Sequence, residues 1–196
     1  MIKTKEDLRY YLQEDKAVNK SSNCSNRIKD LLFPNPIMCF LRNLRYLEYY
    51  ENNPSLKNKI PYLYFKIRFR RISLKLGFSI PTNVFGPGLS IPHYGTIIVN
   101  HQARIGAYCK IHAGVNIGAS AGKKEAPHLG DNIYIGPGAI IFGNIKICNN
   151  VTIGANATVN TSCDISNCVL AGTPAKIVKT EMPNWLYFNK VTIQHK

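Results

Sequence analysis

A chain of 196 residues with 45% apolar or aromatic side chains suits one domain with an appendage and needs no staples to hold a core. Its six cysteines form no C-x-x-C pair, no apolar run approaches the roughly 18 residues of a membrane helix, and Met1 to Asp7 carries no apolar leader, so a reducing, cytoplasmic setting is expected. The formal charge of +14 is uneven, with 16 Lys or Arg against 7 acidic residues over positions 1–76, a balance that suits an anionic partner; no nucleic-acid motif accompanies it.

Taken in order, Thr4 and Asp7 form a capping-box pattern ahead of Leu8, Tyr11 and Leu12, which predicts a first helix over about 4–14. Ser21 to Asn26 reads as a polar loop. Asn35 and Pro36 mark the start of a second helix, whose stripe Ile37, Phe40, Leu41, Leu44 and Leu47 runs out near Asn52-Asn53-Pro54. A third helix begins near Pro61 and stops at Gly77. It carries Lys66, Arg68, Arg70, Arg71 and Lys75 among Tyr62, Tyr64, Phe65 and Phe69, a pattern that reads first as a solvated helix face and second as a peripheral membrane contact. These helices, residues 1–77, are expected to close the open end of the repeat that begins after Gly77.

From about residue 78 to 179 a different period takes over. An aliphatic residue recurs at every sixth position (Ile105, Ile111, Ile117, Leu129, Ile135, Ile141, Ile147, Ile153, Val159, Ile165), and a second row sits four residues behind (Cys109, Val115, Ala121, Ile133, Ala139, Ile145, Val151, Ala157, Cys163, Val169). Six residues turn a helix by about one and two-thirds turns, so no helix face could bury such a row. Short strands joined by sharp corners can, three to a coil, with Gly and Asn at the corners. The pattern therefore predicts a mainly β protein, a hexapeptide β-solenoid behind an N-terminal α-helical segment. A β-sandwich would need ten units to keep register by chance. Gly118 to His128 loses the period after Ala121 and reads as a loop projecting from the coil. Beyond Ala171-Gly172-Thr173-Pro174, residues 180–196 are expected to cap the last coil with Trp185 and its apolar neighbours.

Four pieces of this stretch resemble the serine acetyltransferase branch of the hexapeptide acyltransferases: Pro92 to Val99, Asn116 to His128, Gly136 to Ile145, and Ala171 to Val178. The resemblance implies a left-handed parallel β-helix that forms homotrimers, binds acetyl-CoA in the cleft between subunits and acetylates a hydroxyl directly, with no metal. His93 falls where the family carries its catalytic base, a role that suits a group titrating near neutrality. His128 falls where the family has a histidine touching the acceptor. Small residues Ala119, Ala139 and Ala157 would let a pantetheine arm lie along the coil, backbone N–H groups at Gly118 and Ala119 would hold an oxyanion, and Lys123, Lys124 and Lys176 would neutralise phosphates. Lys179 is a weaker candidate. His101, His112 and His195 read as solvated turn residues.

This chain departs from the family where an acid orients the histidine. The ungapped equivalents are Phe78 and Pro92, and no Asp or Glu occurs between Glu51 and Glu125. A backbone carbonyl, Asn83, Asn100 or an acid of a neighbouring copy would have to hold the second ring nitrogen of His93. With nothing acidic to receive the ammonium of serine, the expected acceptor is a sugar hydroxyl destined for a surface polysaccharide. Serine O-acetylation is the alternative, and a non-catalytic scaffold a further one. A zinc hydratase is disfavoured because the histidines form no close pair.

Overall fold

Three helices and thirteen short strands make up the described residues of the computed structural model, which are 1–19, 35–181 and Trp185. The predicted loop at 21–26 and most of the predicted capping tail lie outside them. Helix α1 spans Lys5–Val18; Thr4 Oγ1 accepts from the Asp7 N–H, and Asp7 answers by accepting from the Thr4 N–H, so the capping box is complete. Helix α2 spans Pro36–Asn52, with Asn35 Oδ1 accepting from the N–H groups of Ile37 and Met38. A 3-10 turn over Leu56–Asn58 leads into α3, Lys59–Leu76, which ends at Gly77 in the left-handed conformation. Among the described residues no helix is long and apolar enough to cross a membrane.

The strands wind into a three-sided left-handed β-helix. One side stacks β1 (Phe78–Ser79), β2 (Ile97–Val99), β5 (Asn116–Gly118), β8 (Ile140–Phe142) and β11 (Thr158–Val159), all parallel. The second stacks β4 (Lys110–Ile111), β7 (Tyr134–Ile135), β10 (Thr152–Ile153) and β12 (Val169–Gly172), with β13 (Ala175–Lys179) folded back antiparallel on β12. The third stacks β3 (Arg104–Ile105), β6 (His128–Leu129) and β9 (Lys146–Ile147). The hairpin partner β13 covers the ladder edge that β12 would otherwise offer to another chain.

Strand partners reveal the coil length. Ile98 pairs with Asn116, His128 with Lys146 and Tyr134 with Thr152, each 18 residues on, so three hexads make one coil. Arg104 to His128 and Asn116 to Ile140 are 24 residues, so the loop inserts one extra hexad without disturbing the register. The two predicted rows are buried along most of their length, with Ile111, Ile117, Ile133, Ile135, Ile141 and Ile153 inaccessible to solvent. Three predicted members fail. Ala121 is exposed within the projecting loop, and Ala126 and Pro127 are buried where the chain re-enters the coil. The last turn is one residue short, Thr152 pairing with Val169, so Cys168 and Leu170 take the inward positions while Ile165 lies out and Val169 half out.

The corners show why these residues are small. Between the third and second sides, the Asp131 carboxylate accepts from the Ala107 N–H at 2.7 Å and the Asn149 amide oxygen accepts from the Asp131 N–H at 2.7 Å. Each of these oxygens occupies the space a Cβ would need at Gly106 and at Gly130. Asn132 and Asn150, at the same corner of successive coils, and Asn156, at the corner after Asn150, take up φ near +60°, which their short polar side chains tolerate.

The helices are joined to the first coil by apolar and polar contacts. Phe40 of α2 stacks on Phe69 of α3 and meets Phe78 edge-on, continuing the coil's core into the helices. Beside them Arg45 is fully buried. It donates to both Asp15 oxygens, to Glu48 Oε2 and to the carbonyls of Phe85 and Gly86, while its guanidinium lies over the Tyr11 ring. Asp15 in turn accepts from the Gly88 and Leu89 N–H groups, and Glu48 from that of Asn83. Trp185 is buried and donates to the Tyr108 carbonyl, with the Lys110 ammonium 5.3 Å from its ring. It therefore lies against the second coil rather than the last one.

Candidate active site

The corner between the second and first sides carries two histidines in adjacent coils. The chain leaves Ser90, bridged to Lys110, and turns through His93 to β2; one coil on it leaves β4 and turns through His112 to β5. The Gly114 N–H donates to the Thr96 carbonyl at 2.6 Å, which fastens one turn onto the other. The rings of His93 and His112 are 6.3 Å apart at 46°, and His112 lies 5.1 Å from the ring of Tyr134. His93 is exposed, and among the described residues it makes no hydrogen bond. His112 is half-buried, and its Nε2 is sheltered from solvent without a hydrogen-bond partner. Burial, then the nearby Lys110 ammonium and His93, hold the His112 imidazole below its ordinary range, so it is neutral at pH 7.

The surroundings of this corner are cationic or neutral. Phe78 is a buried core residue against Phe40, and Pro92 has no side-chain acceptor, so neither substitutes for an orienting acid. The two asparagines expected to take over are engaged elsewhere. Asn83 exchanges hydrogen bonds with Asn52 of α2, and Asn100 Oδ1 accepts from the Gln102 N–H. Each satisfies the backbone or a helix rather than His93. The sequence pattern presents His112 as an isolated turn residue, yet its distance of 19 residues from His93 is close to one coil. That spacing is the signal that places two rings at one corner.

His128 lies on a different part of the prism. It faces outward on β6, in register between Arg104 on β3 and Lys146 on β9. These three line a groove of about 580 Å³ that Met1, Tyr11 and Glu48 close from the helical side. Within one chain His93, at a corner, and His128, on the third side, therefore stand apart. Gly118 and Ala119 are half-exposed where β5 ends, and the Gly118 carbonyl accepts from the Gly143 N–H at 3.1 Å. From there the loop projects with Lys123 and Lys124 exposed, anchored by the Lys123 N–H donating to the Ser120 carbonyl. Lys176 is exposed on β13, across from Ala171. Ala139 and Ala157 are fully buried in the inward row, so their side chains line the core and cannot line a pantetheine cleft. Their small size answers to the coil interior. Among the described residues no three His, Cys, Asp or Glu side chains converge as a metal-binding set.

No family model matches the chain. A serine acetyltransferase of Synechococcus elongatus is 35% identical over 95 residues, covering 47% of this chain and 38% of that protein. One from Staphylococcus aureus is 37% identical over 103 residues, covering 52% of this chain and 48% of its own length. Thus the chain spans half or less of the length of the curated relatives it matches. Among solved structures, the serine acetyltransferase of Neisseria gonorrhoeae superposes with a TM-score of 0.66 at 26% identity, over 91% of this chain and 67% of that one. The Brucella abortus serine acetyltransferase, solved with coenzyme A, superposes with a TM-score of 0.64 at 22% identity, over 91% and 68% of the two chains, a likeness of fold. With its 18-residue coils, its projecting loop and these likenesses, the chain has the fold of the serine acetyltransferases and resembles them in sequence over about half its length.

Proposed function

We propose that the chain is an acetyl-CoA-dependent O-acetyltransferase whose acceptor is L-serine. The observation that carries the reading is the exposed His93 ring, which makes no hydrogen bond among the described residues, at a corner whose residues Pro92 to Val99 resemble the serine acetyltransferases. The reported relatives are all named for serine, so this acceptor replaces the expected sugar hydroxyl as the leading reading. The thioester supplies the acetyl group and a thiolate leaving group. His93 takes the proton of the acceptor hydroxyl as it attacks. His112, kept neutral beside it, adds no positive charge to oppose that protonation. The Gly118 and Ala119 corner offers half-exposed backbone for a developing oxyanion, and Lys123, Lys124 and Lys176 offer cations for the phosphates.

Because His93 stands at one corner of the prism and His128, with the projecting loop that leads into it, at another part, we place the complete site between copies of a trimer, with His128 meeting the acceptor. On this reading residues 78–179 carry the chemistry and 1–77 close the first coil. A sugar hydroxyl stays as a second reading for one reason: no acidic residue occurs between Glu51 and Glu125 to receive the serine ammonium.

The test is free-thiol release from acetyl-CoA with L-serine beside a panel of sugars, for wild type and His93→Ala. Serine-dependent release that falls by about 10²–10⁴-fold in the variant, with coenzyme A binding unchanged by calorimetry, supports the proposal. Release with a sugar and not with serine transfers it to the second reading. Absence of coenzyme A binding would leave a non-catalytic scaffold.

A further inference from the structure

Helix α3 (Lys59–Leu76) presents an apolar stripe that nothing in the chain's described residues covers. Ile60 is 83% exposed, Leu63 57%, Ile67 44% and Leu74 75%. At 100° per residue these four and Tyr64 fall on one face about 100° wide, centred on the side away from α2, and span about 21 Å along the axis. The opposite face is the one in use: Phe65 stacks on Tyr46 and Tyr50, Phe69 on Phe40, and Leu76 is buried. The same helical geometry puts Lys59, Lys66 and Arg70 along one flank of the stripe, Arg68 and Lys75 along the other, and Arg71 within it. The helix thus carries six cations and no acid. Two side chains hold their charges beside the stripe: Lys66 donates to the Tyr62 hydroxyl at 2.9 Å and Arg68 to the Tyr64 hydroxyl at 2.6 Å.

An apolar strip bordered on both flanks by cations matches a lipid surface with anionic headgroups. The stripe enters the acyl boundary while the Lys and Arg stems reach outward to phosphates. A second copy of the chain fits poorly, because pairing two such stripes would bring six cations against six in a drying interface. A nucleic acid would meet the charges but leave Ile60, Leu63 and Leu74 against phosphodiester. We infer that α3 docks this protein on an anionic membrane surface, lying in the interface without crossing it. The inference names a partner for the helical segment and stands whether or not the acetyl-transfer reading holds.

The test is co-sedimentation of the full chain with phosphatidylcholine vesicles, with and without phosphatidylglycerol, at low and high salt. Three proteins are compared: wild type, an apolar-face variant (Ile60→Ser, Leu63→Ser, Leu74→Ser) and a charge variant (Lys66→Gln, Arg70→Gln). Every substituted side chain is exposed, and a thermal melt confirms that each variant folds. Wild type is expected to bind the phosphatidylglycerol vesicles and to release in high salt. The charge variant should bind at least about tenfold more weakly, each lost cation near such a surface weakening binding severalfold. The apolar-face variant, its charge unchanged, should also lose binding. No wild-type binding to the anionic vesicles overturns the inference, as does binding that ignores the apolar substitutions. Sedimentation velocity covers the other occupant: a wild-type assembly that the apolar-face variant dissociates would give the stripe to a second copy and overturn the inference too. Thiol release with a soluble acceptor, run on the same variants, separates failure here from failure of the acetyl-transfer reading.

Discussion

At the corner of two histidines, the proposed proton transfer turns on which ring is charged. His112 has its Nε2 sheltered and unpaired, and burial, with Lys110 and His93 adding to it, pulls its protonation below the ordinary imidazole range. A base whose folded pKa is depressed stabilises the fold above its unfolded value, about 6.5, and that contribution is lost as pH falls through the folded value. His112→Asn is therefore expected to flatten the fall of stability below about pH 6.5, which urea unfolding midpoints at a series of pH values would show. An acid limb as steep as wild type would mean that His112 is not the group being charged. His93 and His128 can be singled out in the sequence as candidates because each sits in a motif. His112 cannot, since it lies in no such motif and its relation to His93 emerges only when their 19-residue spacing is set against a coil of three hexads. Asn83 is hard to assign for a similar reason: its partner Asn52 belongs to a helix 31 residues away, and no local pattern announces that pairing.

Elements of this fold are held by two different logics. Along the prism, each coil rests on the one before it, so a six-residue period and a preference for Gly and Asn at the corners suffice to read its course. The one-residue shortening before β12 escapes that reading, because Cys163 and Cys168 fit an inward row as well as any residue in phase. The helices join the prism through Arg45, and there the pattern says little, since a charged residue on an amphipathic helix is expected outside. Burial works against the guanidinium charge, and Glu48 and Asp15 outweigh it and keep the group ionised. Removing it would leave Asp15 and Glu48 buried without their cation and five hydrogen bonds unmade. Arg45→Met should destabilise the protein by about 3–5 kcal/mol in urea unfolding. A loss below about 1 kcal/mol, the scale of an exposed pair, would show that the network is not holding α1 and α2 to the first coil.

For the whole molecule, the separation of His93 from His128 determines what a complete site requires. One lies at the corner between the second and first sides, the other on the third side just past the projecting loop, so a single prism offers each to solvent in a different direction. If the site forms where His93 of one copy faces His128 of the next, variants defective at either position must complement each other. Take His93→Ala and His128→Ala, each inactive alone, unfolded and refolded together in equal amounts. A site works only when the copy supplying the base carries the second substitution and its neighbour carries the first. Random assembly of a ring gives that arrangement at about a quarter of the interfaces, so about a quarter of wild-type turnover should return. Were both histidines used within one chain, every site in the mixture would keep one defect and no activity would return. The same mixture reports on the assembly, because recovery appears only after subunits have exchanged and is absent when the two variant proteins are mixed without unfolding.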